Sequence, residues 1–428
     1  MKLTEIEKAM RDGREGEAVA AAMDLLIRYG VALGADRLVQ TRNVAGTMTQ
    51  PSPVRTRLVE EGGWAKSFAV TNLDCDRVIE IPRMKVPTCQ VQHGMARDAL
   101  GLSKYREETI ELQEGAESYF TERGIRVLAT CTPYQVGNRP AFGEHCAWME
   151  SSAVVYCNSV LGARTNCEGT ASAGAAALTG RIPYWGNHLD ENRLGNRWIS
   201  VETEVDSFLE WGLLGYFVGE MVGEQRPVIT GRVHKPSDAD LKHFGAAAAT
   251  GGGVEIFHIP GLTPEAPTFE AAFGQQAPRS PDFTYTKAER NRIYQLLNNQ
   301  GQQRDVDFIL LGCPHASIEQ LEVVGSLLAG KRVHADARVW IMVPRDLRRI
   351  ADERGLTQQI RGAGASILTD SCPAMSRVAP EGTKVFATDS VKQANYLPGM
   401  LGIEGWLGTT EDCINAAITG KWKAGASV

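Results

Sequence analysis

The stretch TCTPYQVGNRPAFGEHCAW, residues 130–148, sets a thiol, a carboxylate and an imidazole around one turn-rich loop. Cys131 comes directly after the apolar run IRVLAT (125–130), and Glu144 and His145 close the loop. Two other junctions look like the first. Cys313 follows VDFILLG (306–312), and Cys372 stands two residues beyond ASILTD (365–370). Each cysteine has a proline one or two positions later, which fixes the turn and removes a backbone donor. The carboxyl ends of strands are where open α/β sheets bind ligands, and cysteine thiolates beside such steps are the usual ligands of iron–sulfur clusters. Three thiolates leave one iron of a four-iron cluster without a protein ligand. An open metal position is a Lewis acid that can take a substrate hydroxyl and help it leave. Two readings of other classes stand beside this one. Cys131 with His145 can be a metal-free nucleophile and base, or the chain can be a redox-sensing scaffold.

These groups need rigid elements to hold them. Residues 4–34 read as helix, with Met23, Leu26 and Ile27 on one face. QTRNVAGTMTQPSP (40–53) reads as a turn-rich loop, and 104–124 as a charged helix ending at Gly124. The block MESSAVVYCNSVLGARTNCEGTASAGAAALTG is small-residue rich and mostly helical in pattern, and RIPYWGNHLDENR follows as a loop. GAAAATGGGVEIFHIPGLTPEAP (245–267) is the clearest candidate boundary. Beyond it strands at 306–312, 337–343 and 365–370 alternate with helices at 317–330 and 345–355, which predicts a doubly wound βαβαβ unit.

The bulk numbers exclude several classes. The chain has 428 residues, too many for a single core, so two or three domains are expected. The net charge is −6 and no Lys/Arg block stands out, which excludes nucleic acid as a partner. The charged start MKLTEIEKAMRDGREGE is no signal peptide, and no apolar run spans a bilayer, so a cytoplasmic protein without membrane contact is expected. Nine cysteines in such a compartment are thiols, metal ligands or nucleophiles. The six outside the three junctions read as packed thiols, with Cys146, Cys157 and Cys167 nearest the chemistry.

The blocks TCTPYQVGNRPAFGEHCAWMESSAVVYCNSVLGARTNCEG, YWGNHLDENR, GCPHASIEQ and TDSCP resemble the large subunit of the aconitase X family, over residues from about 15 to about 410. The resemblance implies an α/β fold, an aconitase-like arrangement of doubly wound sheets around a central cluster site. On it, residues 1–244 form an N-terminal region with the first cluster cysteine and the central motif block. Residues 245–380 form an α/β domain with the other two, and 381–428 form a segment packing back on the core. It implies a hydro-lyase whose iron–sulfur cluster, of four, three or two irons, is held by Cys131, Cys313 and Cys372. Bacterial members resemble cis-3-hydroxy-L-proline dehydratase, giving Δ1-pyrroline-2-carboxylate, which is the leading expectation here; archaeal members resemble mevalonate 5-phosphate dehydratase. No swivel-like domain is legible, which implies a separate small subunit. Cys146, Cys157 and Cys167 depart from the family pattern.

Removing a hydroxyl from C3 and a proton from C2 needs an acid, a base and donors for a carboxylate. Glu144 and His145 are expected to protonate or orient the leaving hydroxyl. Ser151 and Ser152, after Glu150, can offer a helix start to a carboxylate. Arg164 can grip a carboxylate in bidentate fashion beside Thr165 and Asn166, while His188, Asp190 and Glu191 read as a structural network. His315 stands beside a ligand cysteine, where it can donate to cluster sulfur. Ser390 and Lys392 are expected to meet an anionic substrate, and Gly46 and Thr47 to line its cavity. A phosphate would want clustered Lys/Arg or a glycine-rich helix start, and GAAAATGGG lacks the Lys-Ser/Thr of a P-loop.

Overall fold

Short apolar runs ending in turns form parallel strands, and Ser, Thr or Gly caps start the helices between them. The computed structural model describes residues 1–46, 52–92, 95–99, 101–102, 107–298 and 304–423. It resolves two compact units. Unit 1 comprises Met1–Gly94, Arg106–Leu128 and Pro133–Leu194; unit 2 comprises Met95–Tyr105, Ala129–Thr132 and Gly195–Val428. The division falls at Leu194, not at 244 as the glycine-rich run led one to expect.

In unit 1 the elements run α1 (Glu5–Arg11), α2 (Glu17–Ala32), β1 (Leu38–Gln40), β2 (Asn43–Gly46), α3 (Pro53–Leu73), β3 (Thr88–Gln90), α4 (Glu107–Glu122), β4 (Ile125–Val127), β5 (Cys146–Trp148), α5 (Ser151–Ser159), α6 (Thr170–Thr179) and β6 (Arg181–Pro183). The sheet β4-β3-β2-β5 is parallel throughout. The single helix expected over 4–34 is two. Thr4 and Glu7 form a reciprocal cap on α1, and Gly16 at φ 99° breaks the chain before α2. The apolar face of α2 packs into a core with Phe68, Phe120 and the alanines of α6. β2 was expected to be loop. Its Asn43 is buried and accepts the Trp148 indole N–H at 2.9 Å, so a polar residue sits inside a strand because its partner sits beside it.

Unit 2 continues with β7 (Arg197–Val205), α7 (Phe208–Val222), β8 (Pro227–Val233), α8 (Asp238–Gly252), α9 (Phe269–Ala272), β9 (Phe283–Tyr285), α10 (Lys287–Asn298), β10 (Phe308–Leu311), α11 (Ile318–Leu328), β11 (Arg338–Met342), α12 (Arg345–Glu353), α13 (Leu356–Gly362), β12 (Ser366–Leu368), α14 (Pro373–Ser376), β13 (Val385–Thr388), α15 (Val391–Leu401), β14 (Glu404–Leu407) and α16 (Thr410–Thr419). The expected βαβαβ unit is present, and it is larger than expected. Residues 381–428 do not merely pack back on it: β13 and β14 join the same parallel sheet, whose order is β12-β11-β10-β13-β14. The order reverses between β10 and β13, and the crevice outside that switch point is where such sheets bind ligands. A second parallel sheet has the order β8-β7-β9.

The start of the glycine-rich run expected to be a boundary is the second half of α8, which ends at Gly252. A Cβ at Gly219 would lie 2.3 Å from the Ala248 carbonyl oxygen, and one at Gly252 would lie 1.8 Å from that of Gly219. The small residues let α7 and α8 approach backbone to backbone, the use of glycine that its flexibility obscures in a sequence.

Candidate functional site

The three junction cysteines all belong to unit 2, because the loop Ala129–Thr132 packs with it. Each junction turns through a left-handed residue: Ala129 (φ 50°) two before Cys131, Gly312 (φ 82°) one before Cys313, and Asp370 (φ 78°) two before Cys372. Such conformations in non-glycine residues persist only where their surroundings enforce them, and they concentrate at functional sites. Asp370 is held by the Arg345 guanidinium, which donates from Nη2 at 2.9 Å and also from Nε.

His315 ties the three junctions together. Its amide donates to the Cys131 sulfur at 3.3 Å, and its ring nitrogens lie 2.9 Å from Thr130 Oγ1 and 3.2 Å from the Ser371 carbonyl. A carbonyl only accepts, so Nε2 carries the proton and Nδ1 accepts from the Thr130 hydroxyl. The ring is therefore committed to positioning. Its amide, not its ring, is the group that reaches the Cys131 sulfur.

Beneath this lies a cation that the sequence reading missed. Lys242, early in α8, is buried and donates to the His315 carbonyl at 2.8 Å and to Gln320 Oε1 at 2.7 Å. Burial lowers its pKa to about 8, while Cys131, Asp389 and Cys313 push the other way. Its signal was a Lys flanked by Leu241, His243 and Phe244, just ahead of an Ala/Gly run where a buried face was due. Replacing Lys242 with methionine removes the ammonium donor from the His315 carbonyl and leaves Gln320 Oε1 with only the Ser317 amide. Chemical denaturation is expected to show a loss of about 2–4 kcal/mol.

Burial pushes the Cys372 thiol up to about 12, and the nearby Cys313 sulfur raises it further; the amides of Met375 and Ala374 and the Lys392 charge oppose this. Ser390 is the buried N-cap of α15, accepting the Gln393 amide, so it holds the helix carrying Lys392. Asp389 is buried and its pKa rises to about 6 by desolvation, with Thr410 donating at 2.8 Å. His243 pins the same helix start. Its Nδ1–H donates to the Phe208 carbonyl at 2.9 Å, and Nε2 accepts the Val391 amide at 3.1 Å.

That second bond needs a neutral ring, and burial lowers the His243 pKa to about 4. A depressed pKa adds stability above the unfolded value of about 6.5 and loses it as pH falls toward 4. Asp389, raised, has the opposite sign and costs stability as pH rises through 6. Unfolding free energies from urea titration are expected to fall further in wild type than in His243→Gln between about pH 7.5 and about pH 5, by up to ~2 kcal/mol.

The remaining expected residues belong to unit 1. Glu144 accepts the Ala141 amide at 2.9 Å and so closes its own loop. His145 Nδ1 lies 2.9 Å from His188 Nδ1. Desolvation, with the Arg164 and Arg193 charges, lowers the His145 pKa to about 4, and burial lowers that of His188 to about 3. Arg164 is not an open clamp: it donates to the His188 carbonyl at 3.0 Å and pairs with Asp190. Thr165 and Asn166 are buried in backbone bonds, Thr165 Oγ1 to Trp148 N and Asn166 Oδ1 to Asn187 N. The start of α5 is capped by the Glu150 carboxylate, which takes the Ala153 amide at 2.7 Å. A fixed anion thus sits where Ser151 and Ser152 were expected to receive a substrate carboxylate. Gly46 ends β2, its carbonyl accepting from Val91, and Thr47 lies outside the described residues. Arg193, also missed, is buried with its guanidinium on the Asn158 and Ala163 carbonyls.

Among the described residues no three His, Cys, Asp or Glu groups are placed to hold a single metal ion. A polynuclear cluster spaces its thiolates more widely, and the donor set of Cys131, Cys313 and Cys372 is all sulfur, as such a cluster requires. Beside Cys372 the Ser371 hydroxyl is fully buried without a partner among the described residues, a donor aimed at no protein group. The residues present fit a cluster. Cys167 is exposed where a packed thiol was expected. Among the described residues no helix is long and apolar enough to cross a membrane.

Models of the aconitase X first, second and third domains match residues 1–191, 195–295 and 306–419. The chain is 33% identical over 413 residues to the phosphomevalonate dehydratase large subunit of Methanothermobacter thermautotrophicus, covering 94% of this chain and 95% of that one. It is 32% identical over 441 residues to the cis-3-hydroxy-L-proline dehydratase of Pseudomonas aeruginosa, covering 99% of this chain and 71% of that one. The crystal structure of Thermococcus kodakaraensis aconitase X in its holo form superposes with a TM-score of 0.80 at 30% identity, covering 97% of this chain and 100% of that one.

Proposed function

We propose that this chain, which belongs to the aconitase X family and is a dehydratase, holds an iron–sulfur cluster on Cys131, Cys313 and Cys372 and dehydrates cis-3-hydroxy-L-proline to Δ1-pyrroline-2-carboxylate. The observation that carries the reading is the convergence of three strand-end cysteines on the His315 segment, each behind a left-handed residue. When bound, the cluster supplies a Lewis-acidic iron for the departing hydroxyl. The chain's own part is to bind and orient. Lys392, at the start of α15 beside the switch point, meets the substrate's carboxylate. Ser390 and His243 fix that helix start. Lys242 and His315 hold the cysteine loop rigid. His145 serves the substrate's oxygens from its unbonded ring nitrogen.

Relatives named as large subunits support a separate small subunit as partner. A phosphorylated substrate is the second reading. Phosphomevalonate dehydratase large subunits match this chain over nearly their whole length, which favours it. Against it, the glycine-rich run is occupied in packing α8 on α7 and offers no cradle for a phosphate.

The test is anaerobic purification with the small subunit, iron and sulfide analysis, a visible spectrum, and assay on both substrates. Iron–sulfur absorption with turnover of cis-3-hydroxy-L-proline is the expected result. Turnover of mevalonate 5-phosphate alone selects the second reading. An iron-free, colourless complex that still dehydrates either one overturns the cluster assignment.

A further inference from the structure

His145 and His188 meet nitrogen to nitrogen, Nδ1 to Nδ1 at 2.9 Å. One nitrogen must donate and the other accept, so the pair has a direction. The other nitrogen of His188 decides it. His188 is fully buried, and its Nε2 has no hydrogen-bond partner among the described residues. A buried N–H without an acceptor is rarer and costlier than a buried lone pair without a donor. His188 therefore keeps its proton on Nδ1 and leaves Nε2 bare. Its Nδ1–H donates to His145, whose Nδ1 is then the acceptor. That places the His145 proton on Nε2.

His145 is the half-buried member of the pair, and its only side-chain hydrogen bond among the described residues is the one to His188. The Tyr184 ring packs edge-on at 6.0 Å, and the His145 carbonyl accepts the Thr41 hydroxyl at 2.9 Å, so both ring and backbone are fixed. The groups facing the pair are cationic: the Arg164 guanidinium bonds the His188 carbonyl, Arg193 lies buried nearby, and Asp190 is the opposing carboxylate. Both rings are thereby kept from taking a second proton.

We infer that His188 is a positioning residue that sets the tautomer of His145, so that His145 offers the substrate a neutral Nε2–H donor and is not the base that removes the Cα proton. A neutral imidazole N–H aimed at a carboxylate oxygen stabilises the charge that builds there as the α proton leaves, without giving up its own proton. The inference rests on the reading above that His145 serves the reaction.

The test uses the complex of large and small subunits with 15N-labelled histidine. Ring-nitrogen shifts of His145 are expected to show Nδ1 bare and Nε2 protonated; the reverse overturns the inference, whatever the variants do. His188→Asp presents an acceptor in place of the donor and should turn His145 over to the Nδ1–H form, lowering kcat by ~100-fold or more. His188→Asn, of equal size and able to donate from the Nδ1 position, should lose much less. Equal losses in the two variants, with both folded by thermal melt, reduce His188 to packing and overturn the inference. His145→Ala at the wild-type rate is a separate outcome: it removes His145 from the reaction and strikes the underlying reading, independent of the tautomer.

Discussion

Cys313→Ala is expected to abolish both the visible absorption and the dehydratase activity of the anaerobically purified complex, with kcat falling ~10³-fold or more, since a Lewis-acidic metal contributes several kcal/mol to the departure of a hydroxyl. Cys313 is chosen because it stands at the carboxyl end of β10, beside the switch point, and because it is the least buried of the three ligands proposed. Replacing it leaves the packing of the sheet largely intact. Cys413→Ala is the control. That thiol is fully buried among the apolar side chains of the same unit, so its loss should cost about 1 kcal/mol of stability and leave the colour unchanged. Iron and sulfide per complex, measured beside the spectrum, separate a lost cluster from a lost fold. A Cys313→Ala complex that stays coloured and active removes Cys313 from the ligand set.

The second large effect is expected one residue earlier. Gly312 has φ 82°, and a Cβ there would lie 2.2 Å from the Met342 carbonyl oxygen and 3.0 Å from its amide. Both are backbone atoms of the neighbouring strand, so neither can rotate away. Gly312→Ala must therefore push β10 from β11 or abandon the turn, and the expected loss is ~3 kcal/mol or more by denaturant titration. Because Cys313 follows directly, the variant that does fold should bind less iron. Gly330→Ala isolates the backbone part of this. Gly330 also has positive φ, at 68°, but a Cβ there meets nothing within 4 Å, so only ~1 kcal/mol should be lost. Similar losses at the two positions would show that the clash with Met342 is relieved cheaply.

The parts of the fold that were legible share one physical property. β10, β11 and β12 are buried on both faces in a parallel sheet, so they read as unbroken apolar runs, and the cysteines could be placed at their ends. β13 and β14 were missed because VFAT and EGWL each carry a polar residue within four positions and so show neither an unbroken apolar run nor a period. α8 was mistaken for a boundary because glycine carries the same letter whether it serves a turn or a close helix contact. At the candidate site, residue types could nominate the cysteines and His145. What they could not announce was engagement: Arg164 already paired with Asp190, Glu144 holding its own loop, Glu150 capping α5. Lys242 and Ser371 stayed hidden for the converse reason. Their roles come from what lies beside them in space, supplied by distant segments.

One arrangement bears on how the chain reaches its finished state. Cys131 reaches unit 2 on the four-residue loop Ala129–Thr132, while the residues just before and after it belong to unit 1. The amide that meets its sulfur lies 184 residues further along the chain. At the usual pace of synthesis, ~5–20 residues per second, that thiol waits ~10–40 s on the ribosome before its neighbours exist. Ser371, whose carbonyl meets the His315 ring, emerges later still. A cluster held on the three proposed cysteines would then be inserted late, after completion of the sheet and not with the folding of the first domain, and of the three Cys131 would be the thiol longest exposed to oxidants and stray metal.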